Sequence, residues 1–314
     1  MRFVQQVALV AETESISFSE LTRVSAALQK QASRDLERYW DITATVDPFV
    51  SLDDVPPGYW PIIVRDDIPY EAAGIHIDKD GQPLSLVTAS DEWSLTASHE
   101  LLEMLVDPFG NRLIAGVSPM PGQGRVEFLV EVSDPSEDVA FSYHANGVRV
   151  SDFYTPRYFD PVAAQGVQYS FTGAIKQPRE VLKGGYLSWH EPVSDHWFQM
   201  TWFTGNKPTF RDLGPLTARG GIRAQIDALT SKHKMKVMGL GKKEARKAEK
   251  SVAMAGVLAS VTTAPGTRSG SRASLMESPR AASGQRFSVD VYRTSEAKAS
   301  ALRKQIKAVL RKAK

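Results

Sequence analysis

The chain has 314 residues, 42% apolar and 24% charged, an ordinary composition for a folded protein of one large domain or two smaller ones. It has no cysteine, which excludes disulfides, thiol nucleophiles, zinc fingers and cysteine-held iron–sulfur clusters, and which fits a reducing compartment. The net charge of +2 hides a division: residues 231–314 carry 20 Lys/Arg against 5 Asp/Glu, and residues 1–230 carry 18 against 31, so an acidic body precedes a basic tail.

Residues 3–10 alternate weakly and hold enough β-branched side chains for a strand. This stretch is short and broken by Gln5 and Gln6, so it does not read as a secretory signal. No run reaches the ~18 apolar residues that cross a bilayer. The expected location is therefore cytoplasmic, or one reached without a classical signal peptide.

Leu21, Val24, Leu28 and Leu36 recur at helical spacing, so residues 18–40 read as one long helix, capped by Ser17 or Ser19 with Glu20 close behind. Short strands follow at 43–50 and 60–64, parted by the Pro56-Pro57-Gly58 loop. Residues 74–77 and 84–88 read as a hairpin around Asp80-Gly81, with a loop longer than two residues. A second helix spans about 94–106 and stops at Asp107-Pro108, because the residue before a proline avoids helical backbone.

The texture then turns to strands, at 126–132, 140–144, 148–151, 169–175, 185–189 and 197–203. Asn146-Gly147 is the strongest hairpin signal in the chain. A closing helix is expected over 220–229. Within the basic tail, 262–284 reads as a flexible linker, 286–293 as a strand, and 295–313 as a basic amphipathic helix. The whole predicts an α+β fold: a domain over 1–230 and a tail over 231–314.

The second helix carries the chemistry. Leu95, Leu102 and Leu105 fall on one side of it, and Thr96, His99, Glu100, Glu103 and Asp107 on the other. Residues four apart are neighbours on a helix, so His99, Glu103 and Asp107 form a column with Glu100 beside it. A solvated acidic face normally carries Lys or Arg to relieve the repulsion, yet none occurs between Lys79 and Arg112. Carboxylates near a helix C-terminus also oppose the helix dipole. Three carboxylates and an imidazole on one face suit a divalent cation, which would turn the repulsion into attraction.

The pattern H-E-x-x-E differs by one residue from the H-E-x-x-H of zinc metallopeptidases, in which two residues four apart hold zinc and the Glu after the first His is the general base. Here His99 and Glu103 would be the ligands and Glu100 the base. A second carboxylate makes the site harder, so Ca²⁺, Mg²⁺ or Mn²⁺ competes with Zn²⁺. Downstream, Glu131 and Asp134 stand where gluzincin-type metallopeptidases place a third ligand and an Asp that orients the histidine. By that likeness Glu131 is the third ligand and Asp134 an outer partner of His99. Asp107 is an alternative ligand or a further outer group.

Ser98-His99-Glu100-x-x-Glu103-x-x-x-Asp107-Pro108, followed by Glu131-x-x-Asp134, resembles the arrangement in a group of zincin-like proteins that includes the exordium-like proteins of plants and bacterial relatives. The resemblance covers residues 70–160. It implies a zincin-like fold, in which an edge strand beside the motif helix (74–77 or 84–88) aligns an extended substrate. The chain departs from the plant members in lacking a Cys after the last Asp, so cell-wall secretion does not carry over.

Other candidates have simpler readings. His76 could be a ligand, but an edge or solvent-facing histidine is the simpler reading. Tyr143 and His144 could stabilise an oxyanion, but packing or exposure accounts for them. Asp152, Tyr154 and Tyr158 lie in an aromatic–proline run that reads as loop packing.

Two functions follow as expectations. One is a metal-dependent hydrolase, a zinc metallopeptidase acting on a peptide or protein substrate. The other is a non-catalytic structural or cargo protein of a larger assembly, with a structural cation and a basic anchoring tail. The tail would bind an acidic protein surface, an assembly or nucleic acid.

Overall fold

The computed structural model describes residues 4–70, 72–217 and 220–238, together with Ser300 and Lys304. The linker, strand and amphipathic helix expected in the basic tail lie outside the described residues, apart from those last two. The fold is α+β, as the sequence predicts.

Two five-stranded sheets make up the body. The first has the order β2-β1-β3-β5-β4. It is built from β1 (Val4–Glu12), β2 (Thr43–Phe49), β3 (Trp60–Arg65), β4 (Gly74–Lys79) and β5 (Gln82–Thr88). All neighbours are parallel except β4, an antiparallel edge strand. Its central strands are buried on both faces, as parallel strands usually are. Val7 and Leu9 of β1 enter the larger core, while Ala8 and Val10 enter a smaller one behind the sheet with Ile63, Ile75, Leu84 and Leu86.

The crossover from β1 to β2 is α1 (Phe18–Lys30), a π-helical turn over Gln31–Leu36 and α2 (Glu37–Trp40). The predicted 18–40 helix is thus present but carries a local widening, a feature common near functional sites. Ser17 caps it by accepting from the Glu20 amide. The β4–β5 turn is tighter than expected: both strands extend to leave Asp80-Gly81 alone, at φ +53° and +81°. Two left-handed residues in succession suit the twist of a two-residue hairpin.

The motif helix α3 (Trp93–Val106) packs on β4 and β5. It is buried almost all round, so its acidic side faces the interior and not water. Its C-terminus is closed by Arg112, which donates from Nη1 to Val106 O and from its amide to Asp107 Oδ2.

The second sheet has the order β12-β11-β10-β7-β6 and is antiparallel throughout. It contains β6 (Leu113–Val117), β7 (Arg125–Leu129), β10 (Tyr186–Glu191), β11 (His196–Thr201) and β12 (Thr209–Gly214). Strands β6 and β12 had no sequence forecast. The predicted 126–132 strand ends at Leu129, and Val130 to Val132 leave the sheet toward α3. The predicted 169–175 strand is absent: only a Tyr154–Ser170 bridge forms there, and the segment is held by side chains such as Thr155 and Asp152. The hairpin β8 (Tyr143–Ala145) and β9 (Val148–Val150) turns on Asn146-Gly147 as expected.

Helix α4 (Ile222–Val237) closes the body and continues past the composition break at residue 231. Ile226 packs on Leu129 and Trp197 of the second sheet. No helix among the described residues is long and apolar enough to cross a membrane.

Candidate metal centre

His99 projects from the middle of α3, with one partner on the same helix and another from the loop after β7. Its Nε2 lies 3.3 Å from Glu103 Oε1, one helical turn on, and 3.3 Å from Asp134 Oδ1, on the loop after β7. Charge-assisted N–H···O⁻ bonds normally close to about 2.7–2.9 Å. A tetrahedral ion with ligand arms of about 2.0–2.1 Å has ligand–ligand edges of about 3.3–3.4 Å. Both contacts are thus longer than a charge-assisted hydrogen bond, and each by itself equals one ligand–ligand edge around such an ion.

Glu131 completes this side: an oxygen of it lies within 4.8 Å of oxygens of Glu103 and Asp134. Glu131 Oε1 and Asp134 Oδ2 are buried and accept no hydrogen bond. Uncompensated buried carboxylate oxygens are costly, and a bound cation removes the cost. Glu137 forms a third group with His99 and Asp134, and Lys234 of α4 is 2.9 Å from it.

The expected residues, with Glu137, fall into two overlapping groups, His99 with Asp134 and Glu137, and Glu103 with Glu131 and Asp134, so Asp134 and not Glu131 is the residue common to both. Asp134, expected as an outer partner of His99, approaches the same ring nitrogen as Glu103, where a ligand would stand, and not the opposite nitrogen that an orienting partner would hold. Asp107 stands apart. Its carboxylate is turned to the Arg112 amide, and its carbonyl faces His76.

Glu100 lines a cleft of about 610 Å³ with His99, Asp134, Gly74, Thr96 and Tyr186. Edge strand β4 begins at its rim. Gly74 is needed there: a Cβ on it would come within 2.6 Å of Thr96 Cγ2 and 2.7 Å of Glu100 Oε1. This close approach sets Glu100 between the helix and the strand edge.

Of two further members of the site, the sequence reading weighed one, His76, and missed the other, Arg223. His76 lies on edge strand β4, as one half of its expectation had it, but is 1% exposed and does not face solvent. On β4, Ile75 and Ile77 face the smaller core, so His76 faces the opposite way, where α3 covers it. The alternation was legible, but the covering helix was not. Arg223, on the first turn of α4, enters the same cluster. Its Nη2 is 2.7 Å from Glu103 Oε2, its Nη1 is hydrogen-bonded to Glu131 Oε2, and its Nε is 3.0 Å from Asp227 Oδ2. No local signal linked it to a helix so distant in sequence.

The electrostatics show a deficit of positive charge. Burial would raise Glu103, but Arg223 and His99 beside it hold its carboxyl well below the usual range. Burial pushes Glu131 and Asp134 well above that range, and Arg223 only partly offsets this. Burial alone would lower His99, yet Glu103 and Asp134 raise it well above an ordinary imidazole. Five carboxylates, counting Glu100 and Asp227, thus surround one guanidinium and the His99 imidazole. A divalent ion is the natural remedy.

Ser98 aligns the helix behind the site. Its Oγ donates to Gln31 Oε1 at 2.7 Å and accepts from the Ser151 amide at 2.8 Å, and Gln31 Nε2 donates to Ser151 O at 2.9 Å. The π turn places Gln31 for this buried link.

The remaining candidates are structural neighbours. Tyr143 donates to Asp35. Tyr154 and Tyr158 stack with ring centroids 4.3 Å apart. Asp152 accepts from the Thr172 amide.

Comparison with protein-family models, with curated proteins and with solved structures finds no significant match to this chain.

Proposed function

We propose that the chain is a metal-dependent hydrolase of zincin-like architecture, acting on a peptide or protein. The observation that carries this reading is the spacing at His99: two carboxylate oxygens, each 3.3 Å from one imidazole nitrogen, with His99 and Asp134 lining a cleft that also takes in Gly74 of an edge strand. His99, Glu103, Asp134 and Glu131 would hold the ion, with Zn²⁺ first among candidates and Ca²⁺, Mg²⁺ or Mn²⁺ accommodated by the carboxylate-rich donor set.

A divalent ion supplies a Lewis acid for the scissile carbonyl and lowers the pKa of water bound to it. The residues of the chain do the rest. Glu100 faces the cleft and would take the proton of the attacking water, then return it to the leaving amine. The free edge of β4 offers backbone donors and acceptors to an extended segment, which would lie across Gly74 and past Glu100.

The test is metal content of protein purified without chelator or metal-affinity columns, beside His99→Ala and Glu103→Ala. About one zinc per chain, lost from both variants, is the expected result and leads to a peptide screen. No metal in any sample, with the variants folded, removes the reading.

Arg223 favours a second reading, because it already supplies one charge to the cluster: a non-catalytic assembly protein with a structural cation and a basic tail as anchor. Glu100→Gln separates the two. It abolishes hydrolysis if the site is catalytic and changes nothing if the ion is structural.

A further inference from the structure

The carboxylate cluster has a second half, on the far side of Glu103 from His99. His76 Nε2 is 3.0 Å from Asp107 O and donates its hydrogen there, which leaves the lone pair of Nδ1 facing inward. That nitrogen lies 3.7 Å from Glu100 Oε2 and 3.8 Å from Glu103 Oε2. A backbone carbonyl that fixes one ring nitrogen and frees the other is the usual support of a metal-ligating histidine. The carboxylates of Glu100 and Glu103 and this imidazole fall within 4.8 Å of one another.

The guanidinium of Arg223 lies among them. Its Nη2 is 2.7 Å from Glu103 and 3.6 Å from Glu100, and its Nη1 is hydrogen-bonded to Glu131 and to the inward nitrogen of His76. Every group it touches there is a donor that a divalent cation takes. One positive charge meets three carboxylates, and Glu100 Oε2 and Glu131 Oε1, both more than nine-tenths buried, still accept no hydrogen bond. The guanidinium therefore stands where a cation belongs and under-neutralises the place it fills.

We propose that His76, Glu100 and Glu103 form a second divalent-cation site, for which Arg223 competes. The proposal extends the reading of His99 as the first site, since Glu103 serves both: Oε1 faces His99 and Oε2 faces Arg223. Glu100 likewise divides, with Oε1 against Gly74 at the cleft and Oε2 toward His76. Arg223 and Asp227 both line the cleft, which gives the displaced side chain a place to go. The site would then be gated by the helix that leads into the basic tail.

The experiment is a Mn²⁺ titration of the full chain, with bound metal counted after gel filtration, for the wild type, Arg223→Gln and Arg223→Gln/His76→Ala. At Mn²⁺ that saturates the first site, the expected counts are one ion, two ions and one ion. An Arg223→Gln chain that is folded and binds no more than the wild type overturns the proposal. So does a second ion that survives His76→Ala. If Arg223→Gln does not fold, Arg223→Lys takes its place. It keeps the charge but loses the planar fork, and the second ion should then bind at lower Mn²⁺ than the wild type needs; no shift overturns the proposal. Failure of the first site looks different: a wild type that binds nothing, with one His76-dependent ion in Arg223→Gln.

Discussion

The guanidinium of Arg223 sits 2.7 Å from Glu103, and the other oxygen of that carboxylate lies 3.3 Å from His99. One glutamate on the motif helix thus faces two ways at once, with one carboxylate oxygen toward Arg223 and the other toward His99. The acidic column on α3 has no cation nearby in sequence, and its counter-charge comes from a helix 92 residues beyond Glu131.

Replacing Glu100 by Gln should lower hydrolysis by about 10²–10⁴-fold, the usual contribution of a general base. The metal content should stay at the wild-type level, because the cation donors on the His99 side are untouched. Equal activity in the two proteins would remove Glu100 from the reaction.

Metal removal should destabilise the body. Without an ion, buried carboxylates face one another with Arg223 as partial compensation. An ion at about 100 times its Kd stabilises the fold by about 2.7 kcal/mol. Differential scanning calorimetry with and without chelator should show a lower Tm in chelator, and the difference should shrink in His99→Ala.

Ser98→Ala should cost about 1–3 kcal/mol, since the buried Ser151 amide and the Gln31 carbonyl oxygen lose their partner together. Urea denaturation measures the loss. Metal stoichiometry should persist at saturating metal, which separates the alignment of the helix from ligation.

Gly110→Ala should weaken the docking of α4. Gly110 has φ +59°, and a Cβ there would lie 2.7 Å from Arg223 Cβ. Both the left-handed backbone and the contact oppose a side chain, so a loss of about 1–3 kcal/mol is expected in thermal or chemical denaturation. Protease sensitivity at α4 should rise with it.

His190 should give stability a pH dependence away from the metal centre. Partial burial lowers it, but hydrogen bonds to Glu127 (3.1 Å) and Asp195 (2.9 Å) more than offset this and raise its pKa. A raised folded-state pKa adds stability that is complete below about pH 6.5, the ordinary imidazole value, and is lost as pH rises through the folded value. The Tm gap between the wild type and His190→Asn should therefore be widest in acid and close in alkali. A gap that widens with pH would contradict this sign.

The local elements were largely legible. The helical spacing of Leu21, Val24 and Leu28, the Asn146-Gly147 turn and the Asp107-Pro108 stop are written in neighbouring residues, and the structure places elements there. Strands β6 and β12 were not, because edge strands of a half-exposed sheet carry little apolar signal: Val117 and Phe210 face solvent. The 169–175 segment misled in the opposite way. Its aromatic residues are buried by side-chain packing and not by a ladder, and β-like composition measures burial as much as pairing.

Residue order alone determined the donors His99, Glu100 and Glu103 on one helix, because helical pitch is a local property, and it determined that they lack a cation of either sequence neighbour. It did not determine that Asp134 would meet the same nitrogen as Glu103, that the alternation of β4 would turn His76 under α3, or that Arg223 would come to lie among them. Those contacts join a strand, a loop and two helices. They are decided by how two sheets and their covering helices pack, where burial makes each unpaired charge expensive enough to select its partner from anywhere in the chain.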